Sequence, residues 1–391
     1  MKAITQEHQP LFDLARRFVD KELMPLERQV LRSVADGEGR YLPREQWDRL
    51  DAKAREYGLW GLDVPEALGG SDMPAVAMIG ANEELGRCAL FYMFPPDTIN
   101  LAFLLQAGTE EQKKRYLEPS LTGAKRSGIA VSEPGGGGDP SGMTTRAVRD
   151  GNDWVVNGRK IWITNVPNLD FLVLMAATGE KGKRGQVSSF LVDIPTPGFN
   201  IERKIAMVGG MFTYEILIEN MRLSASQLIG QPGQSFGTLQ KRFSLRRLQL
   251  AAWCVGMAQR SLDMMMEYTS QRKTFGVALS DRQAIQWWAV DGAIQIHAAR
   301  LMLYDAAWKL DNGNEARIEC AMCKIHAVEM ATTVIDNAMQ AFGAMGMTRE
   351  LPLSLFAETA RWIRIGEGPS EVHRAYIAKH LWRARGVRLA D

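Results

Sequence analysis

The sequence predicts an α+β multidomain chain: a helical domain over residues 1–122, an all-β domain over 123–232 and a helical bundle over 233–391. Three observations predict it. Apolar residues recur at helical spacing near the N-terminus. The middle third carries short β-rich runs separated by turn dipeptides. The C-terminal third holds three uninterrupted helical patterns near thirty residues long, well above the usual helix length of about 11–12 residues.

In the first domain, Leu11, Leu14, Ala15, Phe18, Val19 and Leu23 share one face of a helix within Leu11 to Arg32. Arg44 to Tyr57 repeats the pattern and stops at Gly58. Pro95-Pro96 breaks the chain before the segment Thr98 to Gln106, and Thr109 with Gln112 reads as a capping box opening a helix to Leu117. In the second domain, Phe171 to Ala176, Val187 to Asp193 and Glu215 to Ile218 are strands among about seven or eight. Asp150-Gly151 and Asn157-Gly158 read as turns, and Lys181 to Gly185 as a charged loop. In the third, Phe236 to Gln271, Asp281 to Leu310 and Ala316 to Phe342 are long helices, which pack antiparallel as a bundle. The last carries Ile318, Met322, Ile325, Val328, Ile335, Met339 and Phe342 at spacings of three, four and seven.

Composition excludes several classes. The 391 residues carry a net charge of +2, too little to argue for nucleic acid. The longest apolar run, Phe171 to Ala177, is far short of the roughly 20 residues that cross a membrane. Met1 to Asp20 has no signal-peptide core, so a cytoplasmic protein is expected. Cys320, Cys323 and His326 form a C-x-x-C-x-x-H string, but a closed zinc site needs four ligands. Inside a helical pattern, free cysteines pack as small apolar residues, so no metal is expected. The four cysteines fit a reducing compartment. Neither a G-x-G-x-x-G after a strand nor a P-loop is present.

The informative stretches are Ile129 to Asp139 (IAVSEPGGGGD), Trp162 to Asn165 (WITN), Arg272 to Gly276 (RKTFG), Gln340 to Gly346 (QAFGAMG) and Ile365 to Arg374 (IGEGPSEVHR). With Gly61 to Gly70, Glu83 to Arg87 and Gly108 to Leu117, they stand in an order and spacing that resembles the acyl-CoA dehydrogenase family over nearly the whole chain. The resemblance implies helices, then a β-barrel, then a four-helix bundle, and FAD as cofactor. It implies a homo-oligomer, a tetramer or a dimer, acting on an acyl-CoA with an electron-transfer flavoprotein as electron acceptor, and no membrane or nucleic-acid partner.

The resemblance also assigns residues. Ile129, Val131, Ser132, Gly137 and Gly138 belong to the loop that lines the isoalloxazine, with the Ser132 hydroxyl on the flavin; read alone, GGGGD is a flexible turn. Trp162 would pack against the ring and Thr164 meet its N5 edge; alone, Trp162 is equally a core residue. Arg272, Thr274 and Phe275 match the segment that reaches the FAD pyrophosphate of a neighbouring subunit, where a planar guanidinium suits phosphate oxygens. Gln283 matches another FAD contact, although Ser280 to Gln283 is also a capping-box pattern. Gln340, Ala341, Gly343 and Ala344 match a segment at the adenosine half, and Pro369 and Glu371 match further cofactor contacts beside the base.

Removing a hydride from carbon 3 of a saturated thioester requires a proton acceptor at carbon 2, and a shielded carboxylate suits that task. The family's E-G-T element reads Glu367-Gly368-Pro369 here, which makes Glu367 the base, its own N–H a donor to the thioester carbonyl, and Gly368 a point of close substrate approach. Alone, Glu367 also fits a cap of the following helix, with Pro369 in its first turn. Some relatives carry the base just before the arginine matching Arg247; that position is Arg246, which cannot accept a proton. Departures from the family pattern are Gly138 for a substrate-contacting serine, Ser244 for the aspartate of D-x-x-R, Ala344 for a glycine and Pro369 for a threonine. Gly138, Ser244, Arg247 and Gly368 are the substrate candidates. Gly138 and Ser244 also leave open a flavin-dependent oxidase or monooxygenase acting on a non-CoA substrate.

Overall fold

The computed structural model describes residues 5–180 and 185–389, so the Lys181 to Gly185 loop lies, except for Gly185, outside the described residues. The chain divides into two compact units. One comprises Met1–Phe94, Val208–Gly210 and Ser244–Asp391; the other comprises Pro95–Met207 and Met211–Phe243.

The first unit begins with helices α1 (Gln9–Phe18) and α2 (Met24–Ala35), joined by a π-helical segment Val19–Leu23. Ala15, Phe18, Val19 and Leu23, picked out by their spacing, are fully buried. Helix α3 (Arg44–Glu56) ends at Gly58 in the left-handed region. Helix α4 (Ala75–Gly86) starts after Pro74, which has no side chain to cap it. Asp311 does so from elsewhere in the unit, accepting from the N–H groups of Ala75 at 2.6 Å and Val76 at 3.0 Å.

The second unit holds helix α5 (Thr98–Ala107) and a sheet of strands β1 (Ser127–Ala130), β2 (Arg146–Asp150), β3 (Asp153–Thr164), β4 (Phe171–Ala177), β5 (Val187–Asp193), β6 (Phe199–Met207), β7 (Met211–Leu223) and β8 (Leu228–Ile229). The hydrogen-bonding order is β6-β7-β3-β2-β4-β5-β8, with β1 parallel to β4. Strand β4 is covered on both faces, as its unbroken apolar run requires. Leu172, Leu174 and Ala176 enter one core with Trp154 and Phe190; Phe171, Val173 and Met175 enter another with Leu101, Leu104 and Tyr116. The Thr109–Gln112 capping box forms as read. Asp150-Gly151 turns the β2–β3 hairpin, but Asn157-Gly158 is not a turn. It lies inside β3 at a shift in the pairing with β7, where a β-carbon on Gly158 would stand 2.5 Å from the Thr145 hydroxyl.

The first unit continues with helices α6 (Phe236–Gln271), whose first two turns belong to the second unit, α7 (Gln283–Asp311), α8 (Arg317–Phe342), α9 (Leu353–Ile363) and α10 (Ser370–Arg383). A short hairpin, β9 (Lys273–Thr274) with β10 (Val277–Ala278), joins α6 to α7. Val328 and Ile335 of α8 are buried as their spacing requires, but most of the buried face is made of smaller residues: Cys320, Ala321, Cys323, Ala327, Ala331, Ala338 and Ala341. Among the described residues no helix is long and apolar enough to cross a membrane, and no cluster of His, Cys, Asp or Glu could hold a metal ion.

Asp311→Ala is expected to lower stability by about 1 kcal/mol, the usual effect of losing a helix N-cap. Asp311→Asn, which keeps an acceptor, should lose less. Urea unfolding followed by tryptophan fluorescence measures both.

Candidate active site

The turn between α9 and α10 carries Glu367. Its backbone is left-handed, with φ of 55°, an unusual state for a residue with a long side chain. Gly368 follows at φ 98°, and a β-carbon there would stand 2.9 Å from Cε1 of His373. The turn is held by two cations. The Lys324 ammonium, from α8, donates to the carbonyls of Gly366 and Gly368. Arg247 Nε, from α6, donates to the carbonyl of Glu367 at 3.1 Å. Lys324 is only 1% exposed, and burial pushes it down to about 8 although Glu367 pulls it up. His373 is buried beneath the turn; burial, with the charges of Arg247 and Lys324, pushes it down to about 3. It therefore stays neutral and is too weak a base to remove an α-proton near neutral pH. Helix α10 begins at Ser370 with Pro369 as its N-cap, so Pro369 precedes the first turn that the cap reading gave it.

The second unit supplies a separate face. Lys160 of β3 reaches back to the loop after β1: its ammonium donates to the Val131 carbonyl at 3.0 Å and pairs with Glu133 at 2.8 Å, both side chains being buried. Burial pushes the Glu133 carboxyl up, but the Lys160 charge and hydrogen bonds from Thr144 and Thr145 outweigh it and hold it at about 2. The Ile161 N–H donates to the Ser132 carbonyl at 3.0 Å. The loop that starts at Ile129 and contains Ser132, Gly137 and Gly138 is thus tied to β3 next to Trp162. Trp162 stands at a second pairing shift, left-handed at φ 62° and 47% exposed, so it is not a core residue. Thr164, two residues on, is also exposed.

The remaining candidates lie on the first unit. Arg272 is exposed and enters no ion pair among the described residues, and Thr274 is half-buried. Phe275 sits on the β9–β10 turn at φ 52° and is 97% exposed. Gln283 is the first residue of α7, but the Ser280–Gln283 capping box does not form. Extended Arg282 takes the N-cap position, so Ser280 is two residues too early, and its carbonyl instead accepts from Gln286 at 2.9 Å. Gln340 and Ala344 are exposed, Ala341 is buried, and Gly343 ends α8 at φ 63°. Glu371 is exposed on α10, and Ser244 is buried on α6. Cys320 and Cys323 pack in the core, where burial pushes Cys320 up to about 12 and Cys323 higher still. Sequence reasoning missed Lys324, Lys160 and His373. Lys324 falls in phase with Ala321, Ala327 and Val328, and a cation on an apolar stripe is the signal that marks it.

Known proteins are similar to this chain in sequence and fold over nearly its whole length. The acyl-CoA dehydrogenase N-terminal, middle and C-terminal domains match residues 5–124, 128–221 and 233–382. (R)-benzylsuccinyl-CoA dehydrogenase of Thauera aromatica is 38% identical, covering 97% of this chain and 96% of its own. The structure of a putative acyl-CoA dehydrogenase from Mycobacterium abscessus superposes with a TM-score of 0.88 at 32% identity, covering 97% of this chain and 99% of its own. The FAD complex of PigA superposes with a TM-score of 0.85 at 27% identity, covering 96% and 97%. The chain belongs to the acyl-CoA dehydrogenase family and is an oxidoreductase of that class. Its residues fit a flavin. Trp162 offers an exposed indole, Thr164 an exposed hydroxyl two residues on, and Gly135 and Gly137 have open space where a side chain would stand.

Two outcomes follow. Gly368→Ala puts a side chain at a left-handed position against His373, costing about 1–3 kcal/mol in strain alone. The thermal midpoint should fall and reduction of the bound flavin by substrate should slow by about 2- to 10-fold, assuming half the strain appears at the turn. Lys160→Met leaves Glu133 buried and unpaired, at a cost of about 3–5 kcal/mol. In the native chain Glu133 titrates near 2 rather than its ordinary 4.5. Its contribution is therefore complete above about pH 4.5 and is lost as pH falls toward 2. Denaturation at stepped acid pH, native against Lys160→Met, measures that window.

Proposed function

We propose that the protein carries out FAD-dependent α,β-dehydrogenation of an acyl-CoA to the 2-enoyl-CoA, with Glu367 as the base. The observation that carries this reading is the anchored turn: Glu367 is held in a strained conformation by Lys324 and Arg247, beside a histidine too weak to compete. Strain of this kind persists where surrounding structure over-determines it, and it concentrates at functional positions.

The carboxylate of Glu367 takes the proton from carbon 2. Its N–H, with Gly368 allowing close approach, donates to the thioester carbonyl and stabilises the negative charge that develops there. When bound, FAD supplies the acceptor for the hydride leaving carbon 3. Ser132, Trp162 and Thr164 would hold its isoalloxazine, with Ile129, Val131, Gly137 and Gly138 forming the loop beside it. Arg272, Thr274, Phe275 and Gln283 would hold the pyrophosphate of a neighbouring copy, and Gln340, Ala341, Gly343 and Ala344 the adenosine half. Pro369 and Glu371 complete the cofactor contacts. Arg247 and Ser244, with Gly138, would face the CoA thioester.

The exposure of Arg272, Phe275, Gln283, Gln340 and Ala344 supports an oligomer in which they serve another subunit. So does the apolar row Trp287, Val290, Ile294, Leu301 and Trp308 on α7, exposed at steps of three, four and seven. An electron-transfer flavoprotein would reoxidise the cofactor.

Anaerobic mixing with a panel of acyl-CoAs, from butyryl-CoA through benzylsuccinyl-CoA to steroid side-chain thioesters, should bleach the flavin with at least one of them. Glu367→Gln should slow that bleaching about 10³-fold or more while leaving flavin bound. A wild-type rate in that variant would remove Glu367 from the role of base.

A further inference from the structure

Three consecutive carbonyls around Glu367 are occupied by cations: Gly366 and Gly368 by Lys324, Glu367 by Arg247. In a trans peptide, the C=O and N–H lie in one plane and point in opposite directions. With the Gly366 carbonyl turned onto Lys324, the N–H of Glu367 must point away from α8. The Gly368 carbonyl belongs to the peptide that ends at Pro369, which has no N–H to place on the other side.

We propose that Lys324 is a positioning residue for this reaction: by drawing both carbonyls to one ammonium, it fixes the direction in which the Glu367 N–H is presented to the thioester carbonyl. The inference rests on the dehydrogenation reading above.

Two features separate this role from packing alone. The two carbonyls are the only hydrogen-bond partners of Lys324 among the described residues, and no carboxylate there lies within ion-pairing distance of it. Its neighbours on the buried face of α8 are Cys320, Ala321, Cys323, Ala327 and Val328. An apolar side chain would fill that position at lower desolvation cost than an ammonium. A cation on the carbonyl also polarises the same peptide, which makes the Glu367 N–H a stronger donor as charge builds on the substrate oxygen.

The test compares wild type, Lys324→Met and Lys324→Arg, each checked for bound flavin and thermal midpoint. Two readouts are taken with whichever acyl-CoA of the panel bleaches the wild type fastest. One is the bleaching rate per bound flavin. The other is the ratio of affinities for that thioester and for its S-alkyl-CoA thioether, which has no carbonyl. Lys324→Met should bleach about 100-fold more slowly, the scale of losing one oxyanion donor. It should also lose most of the thioester-over-thioether preference, while thioether affinity stays within about twofold. Lys324→Arg should recover part of both. If Lys324→Met does not retain flavin, Lys324→Arg carries the test, because its longer fork displaces one of the two carbonyls and should reduce the preference several-fold. A variant that retains flavin with wild-type bleaching and wild-type preference overturns the assignment of Lys324 but leaves Glu367 as base. A wild type that no acyl-CoA bleaches overturns the reading itself.

Discussion

The Lys324 ammonium sits almost wholly out of water, and the two carbonyls it binds flank the residue on which the chemistry turns. A buried cation without partners would cost several kcal/mol and would give up its proton instead. Two carbonyl dipoles and the nearby Glu367 charge offset much of that cost, while burial still lowers its proton affinity. The same contacts define the turn. If the ammonium moves, the carbonyls of Gly366 and Gly368 lose their acceptor roles together, and the left-handed conformation of Glu367 loses its main restraint. Arg247 secures the carbonyl between them and helps to keep His373 neutral.

The second unit solves a similar problem differently. Lys160 is also buried, but it has a carboxylate, Glu133, within 2.8 Å. That pair binds the loop containing Ser132 to the strand containing Trp162. Where the first unit surrounds its cation with peptide dipoles, the second neutralises it. An ammonium held by carbonyls polarises their peptides and strengthens the N–H donors on the far side, which suits a turn that must stabilise developing negative charge. A neutralised pair suits a loop whose task is to stay in place.

Left-handed backbone also occurs in the chemical stretches, although Asp72, Asn220 and Ala316 are left-handed outside them. Trp162, Phe275 and Glu367 are all left-handed, and each falls in a stretch identified from sequence as chemical rather than structural. At about 1–3 kcal/mol each, such residues are sustained only by rigid surroundings. A β-strand shift in pairing, a two-residue hairpin and a cation-anchored turn supply those surroundings in the three cases.

Much of the architecture was legible in the sequence, because it is written in local periodicity. The long helices follow from their 3.6-residue spacing and lack of proline, and β4 and β5 from compact β-rich runs. The misreadings are also local in origin. Asn157-Gly158 has turn chemistry, but its partner strand β7 absorbs it as a shift in pairing; Ser280–Gln283 has capping chemistry, but the helix begins two residues too late to use it. The identity of Glu367 and Trp162 as candidates was legible through motif order alone.

What tertiary structure alone decided is the direction of groups. Lys324 meets Gly366 from 42 residues away, and Arg247 meets Glu367 from 120. Periodicity cannot encode such pairings, since it records only which face of an element is buried and not what that face meets. The sequence by itself determined the elements, their order and the residue types available for chemistry. Packing determined which carbonyls face a cation, and therefore where the N–H of Glu367 points.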